Sequence, residues 1–383
     1  MSFFKKVVWT VSAFLGIPGS AFAHVRYVVT QAEWIDHAGS DTAFFFGPLR
    51  EPVNIIFIIG TLAVVFSALL YFEKITWMKS IEKRVEEKSF SYRPLVSWML
   101  RLSLGIAFIG AGTGGVLISP SLPSLEFSLL QTILGFLFLT GFLLGPAIII
   151  GIFLFLLALM QAPYLLGSLE FLAALVALGI LGDPKPGIDD IFGIPSFSPL
   201  VRYTAWVLPI LRYGIGGALM FLAVWEKFLN PHVSELVVRM YGLTSVIPVS
   251  SDMWVFSTGV IEFLLGFFLI IGFRTRVIAA ISFGVLSLSF FYFGEGVYSH
   301  ITLFGVLSVI FVLADESSFY KGIRSVLFKI DSEKIHRGVM KLLSAGYAVP
   351  PLRLILKAVF GVRDTRLERT VFGITFPNPL GLA

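Results

Sequence analysis

The 383-residue chain has no cysteine, which excludes disulfides, thiolate metal sites and any redox cycle run on its own thiols. Charge is scarce as well, Asp, Glu, Lys and Arg together making up 14% of the residues. No Walker, Rossmann or zinc-protease spacing occurs, so phosphate loops, dinucleotide turns and paired-histidine metal helices of those kinds are excluded. What is abundant is apolar surface. Hydrophobic residues account for 56% and the mean hydropathy is +0.88, far from the balance of a soluble domain. The net charge of +5 does not point to nucleic acid, because the basic residues sit in short loops beside apolar runs and in the tail, where they control topology. Any redox role must therefore borrow a cofactor, and the first expected partner is the lipid bilayer.

Residues 1–23 read as a signal peptide: Lys5 and Lys6, an apolar run, then Pro18-Gly19 and the small-residue site Ala21-Phe22-Ala23. An uncut membrane anchor is the other reading. Cleavage would start an exported segment, 24–50, at His24. The amine and imidazole of His24, with His37 as a third nitrogen, could chelate copper, although histidines in a short loop are usually only solvated. Nine apolar segments follow, at 52–71, 97–118, 126–142, 147–161, 164–182, 204–224, 253–273, 277–293 and 297–314. Gly145-Pro146 leaves open a single broken helix across the third and fourth. An outside start makes the inner loops hold ten basic residues (Lys74, Lys79, Lys83, Arg84, Lys88, Arg93, Lys185, Arg202, Arg274, Arg276) against four outside, Arg26, Arg50, Lys227 and Arg239. Excess positive charge marks the cytoplasmic side, so a multi-pass inner-membrane protein with a cytoplasmic C-terminus is expected. The loop at 73–92 alternates acid and base as a solvated helical face.

The apolar segments repeat. Leu134-Gly135-Phe136 and Gly141-Phe142 recur 131 residues later as Leu265-Gly266-Phe267 and Gly272-Phe273, with Gln131 falling on Glu262. Leu100-Arg101 with Gly105 recurs as Leu211-Arg212 with Gly216. Two parallel four-helix units are therefore expected, at 97–182 and 204–315, preceded by a span and basic loop at 51–96 and joined by a Pro/Gly/Asp-rich linker at 183–203. Gly110, Gly112, Gly114 and Gly115 read as helix-packing contacts. In the second unit, Arg212, Trp225-Glu226-Lys227-Phe228, Glu262 and the turn Gly272-Phe273-Arg274-Thr275-Arg276 together resemble the DoxX-like family of small four-helix membrane proteins. The first unit keeps Arg101 but has Gly114 and Gly115 for Glu226 and Lys227, and Gln131 for Glu262, so only the second could use those charges. Glu262 lies near mid-span, where an exposed carboxylate costs about 2.5–3.5 kcal/mol. It should face the bundle interior with Arg212 as partner, either as a proton or quinone site or as a polar clamp between helices. Glu170 and His300, near outer span ends, read as interfacial.

Beyond residue 316 the character changes. The run 327–336 (LFKIDSEKIH) leads into a helix at 337–343, which Asp331 and Ser332 can cap. Ile335, Val339, Leu342 and Leu343 make one face apolar, and a second amphipathic helix is expected at 351–360. Such a pair suits a membrane surface. A loose strand at 367–375 turns at Phe372-Gly373, and 378–383 (NPLGLA) reads as a first barrel strand. Together these elements resemble the N-terminal part of class 2, quinone-dependent dihydroorotate dehydrogenases. That resemblance implies a membrane-associated helix pair forming the mouth of a quinone tunnel, with His336 at the family's tunnel histidine and Val339 and Leu342 at tunnel-lining positions. It also implies FMN and membrane quinone as cofactors of the intact enzyme, with other membrane redox proteins as further partners. A (β/α)₈ barrel needs about 250 residues. The family's catalytic serine, flavin-phosphate loops and orotate-binding asparagines have no counterparts here, so no FMN and no catalytic residue is expected in this chain itself. The overall expectation is an all-α integral membrane protein followed by the start of an incomplete barrel. It is either a truncated fusion that tethers the dehydrogenase to the membrane or a stand-alone DoxX-like redox or transport protein with a vestigial tail.

Overall fold

The computed structural model describes residues 28–29, 31–41, 43–52, 54–56, 58–60, 76–182, 188–193, 200–247, 249–294, 296–314, 332–348, 353, 369–371 and 374–376. The signal peptide with His24, most of the span at 52–71, the helix at 351–360 apart from Arg353, and the barrel strand at 378–383 lie outside them. The chain divides into two compact units, 1–320 and 321–383.

The larger unit is helical. After a short α1 (Gln31–His37) come α2 (Thr76–Tyr92), α3 (Val96–Thr113), α4 (Ser128–Thr140), α5 (Leu144–Gln161) and α6 (Leu169–Leu181). These are followed by α7 (Val207–Leu222), α8 (Pro231–Met240), α9 (Ser251–Ile271), α10 (Thr275–Phe293) and α11 (Val297–Leu313). Among the described residues six helical stretches are long and apolar enough to cross a membrane, and α4 and α11 are shorter apolar helices. This is the architecture of a multi-pass membrane protein. Their exposed faces carry Leu129, Ile149, Phe153, Met160 and Phe291, as expected of surfaces solvated by lipid. The open question across Gly145-Pro146 is settled in favour of two helices. Between α4 and α5 the chain turns at Gly141 and Leu143, both at positive φ (69° and 49°), and Gly145 and Pro146 fall in the first turn of α5. Proline is tolerated there because its missing N–H has no intrahelical acceptor anyway.

The sequence repeat is a structural repeat. Helices α4 and α9 end in the same motif: Phe142 N–H donates to Leu137 O at 3.1 Å, and 131 positions on Phe273 N–H donates to Phe268 O at 3.0 Å. In each unit an arginine from the preceding long helix caps the remaining carbonyls. Arg101 donates to Phe138 O and Leu139 O at 3.0 and 3.1 Å, and Arg212 to Leu269 O and Ile270 O at 2.7 and 2.8 Å. With little water in a bilayer core, such carbonyls need a protein donor. The glycines that end these helices leave room for the guanidinium: a Cβ on Gly141 would lie 2.4 Å from Arg101 Nη2, and one on Gly272 2.2 Å from Arg212 Nη2. Small residues also set the helix spacing, Gly105 meeting Gly135 and Gly216 meeting Gly266 backbone to backbone.

The two repeats interlock. Helix α11 of the second packs extensively on α3 of the first, and α6 of the first on α7 of the second. A continuous apolar core runs through both, from Leu100 and Phe108 through Leu175 and Leu211 to Val306 and Ile310. Gly110 lies against Tyr298 and Gly112 against α4, as packing glycines should.

Segments assigned from sequence to one side of the membrane also meet each other. Arg274 pairs with Glu82 at 3.3 Å, and Leu143 N–H donates to the Asp189 carboxylate at 3.1 Å, joining segments expected inside. On the opposite side, Asp41 N–H donates to Leu229 O at 2.8 Å, and Trp34 lies edge-on to Tyr164. There the segment around Val28, Trp34 and Phe44 and α8 build a second small core with Val233, Val237 and Trp254.

In the smaller unit, α12 (Ser332–Ala348) is longer than the spacing predicted. An exposed Glu333–Arg337 pair, 3.0 Å apart, supports its first turns. Strands β1 (Arg369–Val371) and β2 (Ile374–Phe376) pair antiparallel with Val371 opposite Ile374; the turn expected at Phe372-Gly373 lies outside the described residues.

Candidate functional site

The polar residues of the second unit converge at the end of α7. There the helix widens into a π-helical segment, Ala223–Leu229, which carries Trp225-Glu226-Lys227-Phe228. Such widened turns recur at functional sites, because they reorient side chains that a regular helix would direct elsewhere. Here two sequence neighbours, Glu226 and Lys227, are both buried, at 2% and 1% exposure. Lys227 Nζ lies 2.5 Å from Glu226 Oε2 and 3.3 Å from Glu262 Oε2. Glu262 sits near the middle of α9 at 1% exposure. Gly259, one turn earlier, makes this approach feasible, since a Cβ there would come within 2.8 Å of Lys227 Cβ and 2.6 Å of the Phe228 ring.

The remaining contacts come from elsewhere in the fold. The Tyr164 hydroxyl, on the 3₁₀ segment Pro163–Ser168 of the first repeat, donates to Glu226 Oε1. Ser234 on α8 donates to the Glu226 backbone carbonyl at 2.9 Å. Glu226 thus has both carboxylate oxygens hydrogen-bonded, whereas neither oxygen of Glu262 has a hydrogen-bond partner among the described residues. Phe45, Phe228 and Phe256 form an aromatic group alongside, with centroids 5.2–5.8 Å apart.

The expected Arg212–Glu262 pair does not form. Helices α7 and α9 run antiparallel, so Arg212 lies level with residues 269–270, some ten ångströms along the axis from Glu262 at 1.5 Å per residue. The residue that reaches Glu262 is Lys227, at the other end of the helix. The first repeat has no such cluster. Gln131, at the Glu262 position, uses its amide instead to hold the loop after α3, accepting from Ile118 N–H at 2.9 Å and donating to Val116 O at 2.7 Å. Glu170 and His300, expected near the outer ends of their spans, are buried against protein at 4% and 3% exposure.

The other candidates are dispersed. His37 is exposed, its Nδ1 3.1 Å from Glu33 O, and no group of three metal-ligating side chains occurs among the described residues. His336 is exposed on α12, which also contains positions 339 and 342. An apolar groove of about 530 Å³ opens between α2, α3, α10 and α11, with Lys88 and Tyr92 at its edge and Phe283 and Phe311 in its wall.

Comparison with known proteins finds relatives over a short stretch. A protein of Christiangramia forsetii is 48% identical over 61 residues, 16% of this chain and 18% of that protein. One of Mycobacterium tuberculosis H37Rv and one of Mycolicibacterium smegmatis are each 44% identical over 64 residues, 17% of this chain and 18% of theirs. All three are quinone-dependent dihydroorotate dehydrogenases. The chain therefore spans about a fifth of the length of these relatives. No family model matches, and no solved structure matches.

Proposed function

We propose that this protein is a multi-pass membrane module carrying, in residues 316–383, the quinone-gathering region of a quinone-dependent dihydroorotate dehydrogenase, held at the cytoplasmic membrane face. The observation that carries this reading is local identity of 44–48% to such enzymes in a chain whose larger unit is a bundle of apolar helices. In this reading α12 lies on the membrane surface, and His336, Val339 and Leu342 border the path by which quinone approaches. FMN, when bound to an intact enzyme, supplies the redox chemistry between dihydroorotate and quinone, and none of the described residues is assigned to it. An integral anchor raises the effective concentration of the quinone-facing segment at the bilayer above what a reversible surface helix achieves. The excess of Lys and Arg in the loops that meet at Arg274 and Glu82 supports a cytoplasmic location for that end of the bundle.

A second reading, a DoxX-like membrane redox or transport protein, is favoured by the Glu226–Lys227–Glu262 cluster, because burying three charged groups is costly unless they act. The test uses the full chain in proteoliposomes with a photoreactive quinone analogue. Labelling within 332–348 that excess unlabelled quinone displaces, and that His336→Ala weakens, is the expected result. Absence of displaceable labelling there rejects the dehydrogenase-type reading and leaves the second.

A further inference from the structure

Beyond any role in anchoring, the cluster at the end of α7 has a charge imbalance. Two carboxyl groups, Glu226 and Glu262, share one ammonium, Lys227, and all three are at most 2% exposed. With every group ionised the site would carry a net −1 in an apolar interior, where an uncompensated charge is strongly disfavoured. Other charges among the described residues do not restore the balance. Of the elements packed on α9, α7 brings Arg212, which is committed to carbonyls at the far end. Helix α10 brings Arg276, which donates to Phe311 O and Ala314 O. On α8, His232 and Arg239 contact Asp41 and Glu235 at the exposed rim, and Arg50 is exposed. Nearest the carboxyls, Tyr164 and Ser234 contribute only neutral groups.

We infer that the Glu226–Lys227–Glu262 cluster is a proton-binding site, holding one exchangeable proton seated on Glu262. The hydrogen bonds decide which carboxyl carries it. Glu226 accepts from the Tyr164 hydroxyl at one oxygen and from Lys227 at the other, as a carboxylate does. Glu262 is paired with Lys227 at 3.3 Å through Oε2, but neither of its oxygens has a hydrogen-bond partner among the described residues, which a neutral carboxyl tolerates at far smaller cost than a carboxylate. Loss of the proton is a simple dissociation: the O–H bond of Glu262 breaks, the electron pair stays on the carboxylate, and the proton passes to solvent. The residues covering the cluster belong to the side that carries the exported segment, with Trp34 against Tyr164.

The test is infrared difference spectroscopy of the full chain in lipid, reading the protonated-carboxyl C=O band. The wild type should show one cluster carboxyl, with a band that shifts in D2O and falls as the pH is raised. Glu262→Gln should abolish it, and so should Glu226→Gln, because the remaining carboxyl then ionises against Lys227. Lys227→Met should double it, since neither carboxyl then has a cation. Buried Glu170 can contribute a protonated-carboxyl band of its own, which Glu170→Gln identifies and removes. Tyr164→Phe should leave the wild-type band in place, whereas a shift would move the proton to Glu226 and overturn the assignment. A wild-type band that persists in Glu262→Gln, or none at all, or one insensitive to D2O, would overturn the proton site itself.

Discussion

Replacing Lys227 by Met removes the ammonium that contacts two buried carboxyls while keeping most of the length of the side chain. The wild-type Nζ lies 2.5 Å from Glu226 and 3.3 Å from Glu262, and both carboxyls are at most 2% exposed, so without it they must take up protons or stay uncompensated. Breaking a buried pair by deleting one partner costs about 3–5 kcal/mol. At about 1.4 kcal/mol per tenfold, this lowers the folded population relative to the unfolded by roughly two to three and a half powers of ten. Unfolding in mixed micelles on titration with sodium dodecyl sulfate, followed by fluorescence, reads this, because Trp254, on the same helix as Glu262, is buried and becomes exposed on unfolding. Neutralising the partners too, in Glu226→Gln/Lys227→Met/Glu262→Gln, should recover most of the loss, since a buried ion cluster contributes little net stability over neutral groups of similar volume. If Lys227→Met stays within about 0.5 kcal/mol of wild type, or the triple variant is less stable than the single one, the cluster is not a dry, charge-compensated unit.

Gly272→Ala should destabilise the second repeat by more than about 1 kcal/mol, through its left-handed backbone and the displaced Arg212 guanidinium, and Gly141→Ala should do the same in the first. Equal losses in thermal unfolding would agree with this, and a neutral result at either position would refute it. Gln131→Leu leaves Ile118 N–H and Val116 C=O unpaired, for a loss of about 1–3 kcal/mol per orphaned group, read by the same unfolding titration. Alkaline phosphatase fused after Gly242 should be active and after Gly193 inactive, and the opposite pattern would invert the bundle.

Apolar length alone located eight of the helices now described, because a bilayer demands continuous stretches and the charged residues fall between them. The repeat was legible through glycine because glycine here is fixed by hard contacts, Gly135 against Gly105 and Gly266 against Gly216. The partner of Glu262 was not legible. Arg212 has the right charge, but only the antiparallel offset of α7 and α9 shows that it lies level with Leu269. A count of helical rise from the turn at 272 would have found this. Nothing local announces the π-helical turn that buries Glu226 beside Lys227, nor Tyr164, which reaches the cluster from the other repeat. That Glu170 and His300 are buried against protein was not legible, because position along a span says nothing about which face a side chain occupies.

The exchange of helices between the repeats, α11 resting on α3 and α6 on α7, has a consequence for how the bundle assembles. Each repeat lends its last helix to the first helix of the other, so neither half is a closed module. A fragment limited to one repeat would present two uncovered helix faces and would have to recruit a second copy to cover them. Residues 182–207, which join α6 to α7, therefore do the work of a dimerisation equilibrium. By making the two halves one molecule they render assembly independent of protein concentration in the membrane, so the first repeat can do without a counterpart of the Glu226–Lys227–Glu262 cluster while the second carries it.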